Sequence, residues 1–128
     1  MELIDRGFAP DNIDYFFKIA EDENNRVVGY ACYGLAPLTD GVYDLYWIAV
    51  HPTIQRKKIG RLLIKSVEQA VREIGGRMLL IETASKAEYQ PTRAFYERAG
   101  YQEIARIPDF YRRGDDKIIY RKNFDPKT

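Results

Sequence analysis

The segment from Val42 to Ile81 constrains the fold more than any other part of the chain. Val42–Val50 is rich in β-branched and aromatic residues and reads as a strand that Pro52 closes. From Ile59, apolar residues recur at 59, 62, 63, 67, 70, 71 and 74, the stripe of a helix with one buried face. Gly75-Gly76 stops that helix, and Met78-Leu79-Leu80-Ile81 follows as a continuous apolar run. Such a run suits a strand covered on both sides. Strand, loop, helix and buried strand in this order belong to a layered fold in which helices cover a sheet.

The rest of the chain extends that sheet. Tyr15–Ala20 and Val27–Leu35 form a hairpin across Glu21–Arg26, whose asparagines suit positive φ. Pro91 can open a second helix that runs through Phe95 and stops at Gly100, and strand-like segments follow at 101–107 and 117–122. The first ten residues read as a short helical turn ending near Gly7. The expected order is β-β-β-α-β-α-β-β in one domain of 128 residues, an α/β (α+β) layer. Its sheet is mixed and mostly antiparallel, flanked by helices.

Composition narrows the function classes. Twenty basic against 19 acidic residues leave a net charge of +1, which is no footprint for nucleic acid. The single cysteine, Cys32, sits in an apolar strand and is expected to be a buried, inert thiol. His51 is the only histidine, and no spacing suggests metal ligands. The charged N-terminus and the lack of a membrane-length apolar run predict a cytoplasmic protein with no membrane partner.

The loop before the first helix does carry chemistry. Four of the six residues from Arg56 to Arg61 are basic, so a helix N-terminus and several cations converge on one spot. Cations there oppose the helix dipole unless an anion is bound, which points to a phosphorylated ligand.

Gln55-Arg56-Lys57-Lys58-Ile59-Gly60, Tyr46–Val50 and Phe95-Tyr96-Glu97-Arg98-Ala99-Gly100-Tyr101 together resemble the GNAT superfamily of N-acetyltransferases. The resemblance spans roughly residues 15–122. It implies acetyl-CoA as co-substrate, no metal, and a small-molecule or peptide amine as acceptor. The coenzyme would contact Ile48, Ala49 and Val50 on the strand. It would also contact Gln55, Arg56, Lys57, Lys58, Ile59, Gly60 and Arg61 in the loop, and Thr92 and Tyr96 on the second helix. Tyr96 matches the tyrosine that the family often uses as general acid. Asp44 and Glu82 are the expected candidates for the base, and either can equally be a strand-end carboxylate paired with an arginine. Asp44 is expected to share a strand face with Ile48 and Val50. Asp115 and Asp116 could meet a cationic amine, although a hairpin turn explains them as well.

Two departures stand out. Lys58 occupies the place of the family's first loop glycine, which leaves a non-catalytic coenzyme A-binding domain as the alternative reading. The front of the chain is short, so the family's first strand is expected to be absent, the exposed edge being a place for a second subunit in a homodimer.

Overall fold

A computed structural model describes residues 2–8, 15–52 and 56–124, with side chains from 15–52 and 58–124. Seven strands form one mixed sheet: β1 (Glu2–Phe8), β2 (Tyr15–Glu21), β3 (Val27–Leu35), β4 (Val42–Val50), β5 (Met78–Ala84), β6 (Gln102–Arg112) and β7 (Asp115–Asn123). Their spatial order is β1-β2-β3-β4-β5-β7-β6. Only β4 and β5 run parallel, joined by helix α1 (Arg56–Glu73); α2 (Gln90–Arg98) connects β5 to β6.

The front of the chain differs from expectation. Residues 2–8 are not a helical turn but strand β1, paired antiparallel with β2 from Glu2↔Glu21 to Phe8↔Tyr15. The strand expected to be missing is therefore present. Only residues 9–14, outside the described residues, separate it from β2, so the shortness lies between those two strands. The outer edge of β2 is paired by the chain itself, without a second subunit.

Both helices contribute to a single core. Ile59, Leu63, Val67 and Val71 recur on one side of α1, and Ile64 joins them in contact with Leu45, Leu79, Ile81, Ile118 and Tyr120 of the sheet. Each such side chain contributes about 1.5–3 kcal/mol through burial. Leu62 and Ile74, read from the sequence as part of this stripe, are exposed. At Gly29, a Cβ would lie 3.1 Å from Leu63 Cδ1 and 3.0 Å from the Ala49 carbonyl, so α1 packs directly on the β3 backbone. Cys32 is buried as expected, and burial raises its thiol pKa.

Each helix ends in the same device. Gly75 and Gly100 adopt φ of +84° and +99°, conformations open to glycine. In α1, Gly76 N–H donates to the Val71 carbonyl and Gly75 N–H to that of Arg72; in α2, Tyr101 and Gly100 donate to Tyr96 and Glu97. These are paired Schellman bonds that satisfy the last carbonyls of a helix.

Candidate active site

The site begins with an irregularity in β4. Cys32 pairs with Trp47 and Tyr33 with Leu45, so Tyr46 has no partner on β3 and forms a β-bulge. A bulge shifts the alternation of side chains by one residue. Tyr43 and Leu45 face the core before it, and Ile48 and Val50 after it. The expected single face for Asp44, Ile48 and Val50 is thereby corrected: Asp44, between Tyr43 and Leu45, lies on the opposite face.

The bulge coincides with the end of pairing to β5. The parallel ladder runs from Val42↔Met78 to Leu45↔Ile81 and then stops, while β5 continues alongside β7 through Ala84↔Lys117. Tyr46–Val50 thus has a free edge toward β5, and a groove of 450 Å³ opens there. Thr92 and Tyr96 line it from α2, Tyr46, Trp47 and Ile48 from β4, and Glu82 from β5. Since Ile81 faces the core, its neighbour Glu82 lies on the opposite side of the sheet from the helices. The groove therefore crosses the sheet, with Tyr96 on the helix side and Glu82 on the other.

Its electrostatics follow from this placement. Tyr96 is buried, and burial pushes its phenol up to about 12. Burial also raises the Asp44 pKa; the charge of Glu82 adds to this and Lys117 opposes it. Asp44 does not line the groove itself but lies within electrostatic reach of Glu82, which does. Glu82 is ion-paired with Lys117, whose ammonium also sits 4.6 Å from the Phe110 ring centroid. Glu82 is thus a paired strand-end carboxylate, but its partner is Lys117 rather than the expected arginine.

The wall between β5 and α2 is clamped from two directions. Asp115, buried at the start of β7, accepts the N–H groups of Ser85 and Lys86 at 3.2 Å each. Arg93 of α2 donates to the carbonyls of Ala84 and Lys86 at 2.8 and 3.0 Å. Asp116 accepts the Asp109 N–H and pairs with Arg106. Both aspartates thus serve the loops rather than standing open for an amine, although Asp115 also borders the groove.

A family model for the acetyltransferase (GNAT) domain matches residues 13–103, well over half of the chain. The chain belongs to the GNAT acetyltransferase family. A solved structure described as a GNAT-family acetyltransferase from Desulfovibrio desulfuricans is 51% identical, with a TM-score of 0.82, over 85% of this chain and 68% of that one. The aminoglycoside 6'-N-acetyltransferase of Enterococcus faecium superposes with a TM-score of 0.75 at 19% identity, over 89% of this chain and 75% of its own. For the ribosomal-protein-S18-alanine N-acetyltransferase of Escherichia coli the values are 0.73 and 21%, over 94% and 74%. These last two likenesses concern the fold. No curated protein matches the chain.

Against the GNAT motifs, the expected residues other than Asp44 divide into four groups. Ile48, Thr92, Tyr96 and Glu82 meet at the groove, and Ala49 and Val50 continue its free β4 edge. Ile59 is buried in the core and Gly60 packs against Phe95, where a Cβ would stand 3.2 Å from the ring. Only their backbone can serve a ligand. Lys58 is exposed, turned away from the core, and Arg61 is exposed one turn into α1. Gln55 lies outside the described residues, as do the side chains of Arg56 and Lys57, whose backbones start α1. Sequence reasoning gave no site role to Tyr46, Trp47 and Thr83 of the groove or to Arg93 of the clamp; for Tyr46 and Trp47 the reason is that nothing in the residue pattern marks a bulge at Tyr46. Among the described residues no group of side chains is arranged for a metal ion, and no helix is long and apolar enough to cross a membrane.

Proposed function

We propose that this GNAT domain transfers the acetyl group of acetyl-CoA directly to a primary amine of a small molecule or peptide. The observation that carries this reading is the opening beyond Leu45↔Ile81, where one groove joins Tyr96 on the helix side to Glu82 on the other. An extended pantetheine arm has amide groups suited to the free β4 edge at Ile48–Val50, which it would join as an added strand. The diphosphate would meet the first turn of α1, where Arg56, Lys57 and Lys58 oppose the helix dipole until an anion is bound. Because Lys58 is exposed, its replacement of a glycine leaves room for that approach.

The two substrates enter from opposite faces. An amine is protonated near neutral pH and must lose a proton before it attacks. Glu82 receives that proton in the groove, with Asp44 as the second carboxylate of the pair. The amine nitrogen bonds to the thioester carbonyl carbon, and the developing oxyanion is met by a backbone N–H near Ile48 or Ala49. When the C–S bond breaks, the Tyr96 hydroxyl gives its proton to the departing thiolate. The proton that the attacking nitrogen still carries passes through solvent to the Tyr96 phenolate, the amide and free coenzyme A leave, and the carboxylates release their proton to solvent.

Calorimetric titration with acetyl-CoA, followed by thiol release with a panel of primary amines, tests the reading. Saturable binding with amine-dependent thiol release is expected. Binding without release from any amine would make the domain a coenzyme binder; absence of binding would reject the site.

A further inference from the structure

The mouth of the groove on the face away from the helices is where an acceptor would enter. Among the described residues four charged side chains line the groove: Glu82, Lys86, Arg112 and Asp115. Three of them are engaged. Glu82 pairs with Lys117, Asp115 accepts two backbone N–H groups, and Lys86 lies 3.4 Å from Glu88. Arg112, exposed at the end of β6, has no hydrogen bond or ion pair among the described residues. It faces Asp115 across the β6–β7 turn, two residues from Lys117 and so about 7 Å along the strand from the Glu82–Lys117 pair. Aromatic rings flank the same face. Ile48 turns to the core, so Trp47 points the other way; Trp47 and Tyr111 both line the groove and are each 47% exposed. Tyr111 meets Phe110 edge to face with centroids 4.9 Å apart, and the Lys117 ammonium sits over the Phe110 ring.

We propose that the acceptor is a small zwitterion, an amine whose apolar or aromatic skeleton also bears a carboxylate, as in a hydrophobic amino acid. The inference rests on the transfer reading above and names its substrate class. The amine would sit at Glu82, and the carboxylate would take paired hydrogen bonds from the Arg112 guanidinium. The skeleton would lie against Trp47 and Tyr111. A polycationic acceptor fits this mouth poorly. It would meet three cations, Lys86, Arg112 and Lys117, and Glu82 is the single acid of the lining left for an amine, since Asp115 is held by backbone N–H groups. The bond changes are those already given: the acceptor nitrogen takes the acetyl group, coenzyme A leaves as the thiol, and the acceptor's carboxylate forms and breaks no bond.

Phenylalanine, tryptophan and leucine are each to be compared with the amine that remains when the carboxylate is removed, by thiol release at saturating acetyl-CoA with rates taken per unprotonated amine. In at least one pair the amino acid is expected to show a kcat/KM higher by about tenfold or more. Arg112→Gln should bring that ratio toward one, and Arg112→Lys should restore part of it. Equal or better turnover of the simple amine in every pair would overturn the inference and leave acetyl transfer standing. So would a ratio that Arg112→Gln does not change, or release confined to spermidine or a peptide amine. If no amine gives release, the transfer reading fails and this inference with it. Arg112 is exposed beside a turn, so the glutamine variant should melt at the wild-type temperature; the wild-type pairs and Arg112→Lys decide the matter even if it does not fold.

Discussion

The Tyr96 carbonyl accepts the N–H of Tyr101 at 3.0 Å, and the two rings meet edge to face with centroids 6.3 Å apart. A single segment thus ends α2 and holds the candidate acid. Gly100, between them, makes this turn at φ +99°. Alanine there meets no steric block, since the nearest atom to its Cβ, Lys122 Cε, is 3.4 Å away. The cost is conformational. Gly100→Ala should lose about 1–2 kcal/mol in urea unfolding, and its kcat should fall as Tyr96 shifts. An unchanged unfolding midpoint would show that the turn tolerates a side chain.

Tyr96→Phe separates the acid from the packing. Phenylalanine keeps the ring contacts with Phe95, Tyr101 and Tyr120 and removes only the hydroxyl. A positioned acid contributes about 10²–10⁴-fold, so kcat should drop by about a hundredfold or more with coenzyme affinity retained. With its phenol near 12, Tyr96 stays protonated across the working range and should impose no limb on the pH–rate profile below about pH 11. Turnover equal to wild type would remove Tyr96 from this role.

Much of this arrangement is legible in the chain because local signals agree with one another. The hairpin at 15–35, the strand at 42–50, the glycine stops of both helices and the strand beginning at Met78 each combine a period with a turn residue. Two features escape such reading. Strand β1 has charged Glu2, Asp5 and Arg6 and no clean alternation, so its pairing with β2 is decided by the sheet rather than by its own residues. The bulge at Tyr46 depends on the register between β3 and β4, a tertiary quantity, and from it follow both the true face of Asp44 and the aromatic lining of the groove. The motif residues were legible individually; their division between structure and chemistry was not. Gly100 and Tyr101 close a helix, Ile59 fills the core, and Tyr96 reaches the groove.

Asp44 should make stability depend on pH in a defined direction. Burial and Glu82 raise its pKa, so the folded state binds a proton more tightly than the unfolded chain does. Its favourable contribution is complete below the ordinary aspartate pKa and is lost as pH rises through the elevated folded value. Asp44→Asn should therefore gain on the wild type in urea unfolding between acid and neutral pH, while shifting the acidic limb of the pH–rate profile. The same limb should respond to Glu82→Gln. If both variants keep the wild-type profile, a water relay carries the proton instead.

Asp115 sets the groove from behind. Its carboxylate is buried and accepts the N–H groups of Ser85 and Lys86, at the point where β5 gives way to the segment leading into α2. Removing the carboxylate leaves the Lys86 N–H without its partner in a partly buried position, while the Ser85 N–H keeps the Asp116 carbonyl at 3.0 Å; the loss is about 1–3 kcal/mol. Asp115→Ala should destabilise the fold by this amount and loosen the wall formed by Ala84, Lys86 and Tyr89. Asp115→Asn keeps one carbonyl oxygen as acceptor and should recover part of the loss. If the wall matters for binding, KM for the coenzyme should rise in the alanine variant and recover in the asparagine variant, while the pH dependence of kcat stays fixed. A change in that pH dependence would instead assign Asp115 a direct part in moving the proton.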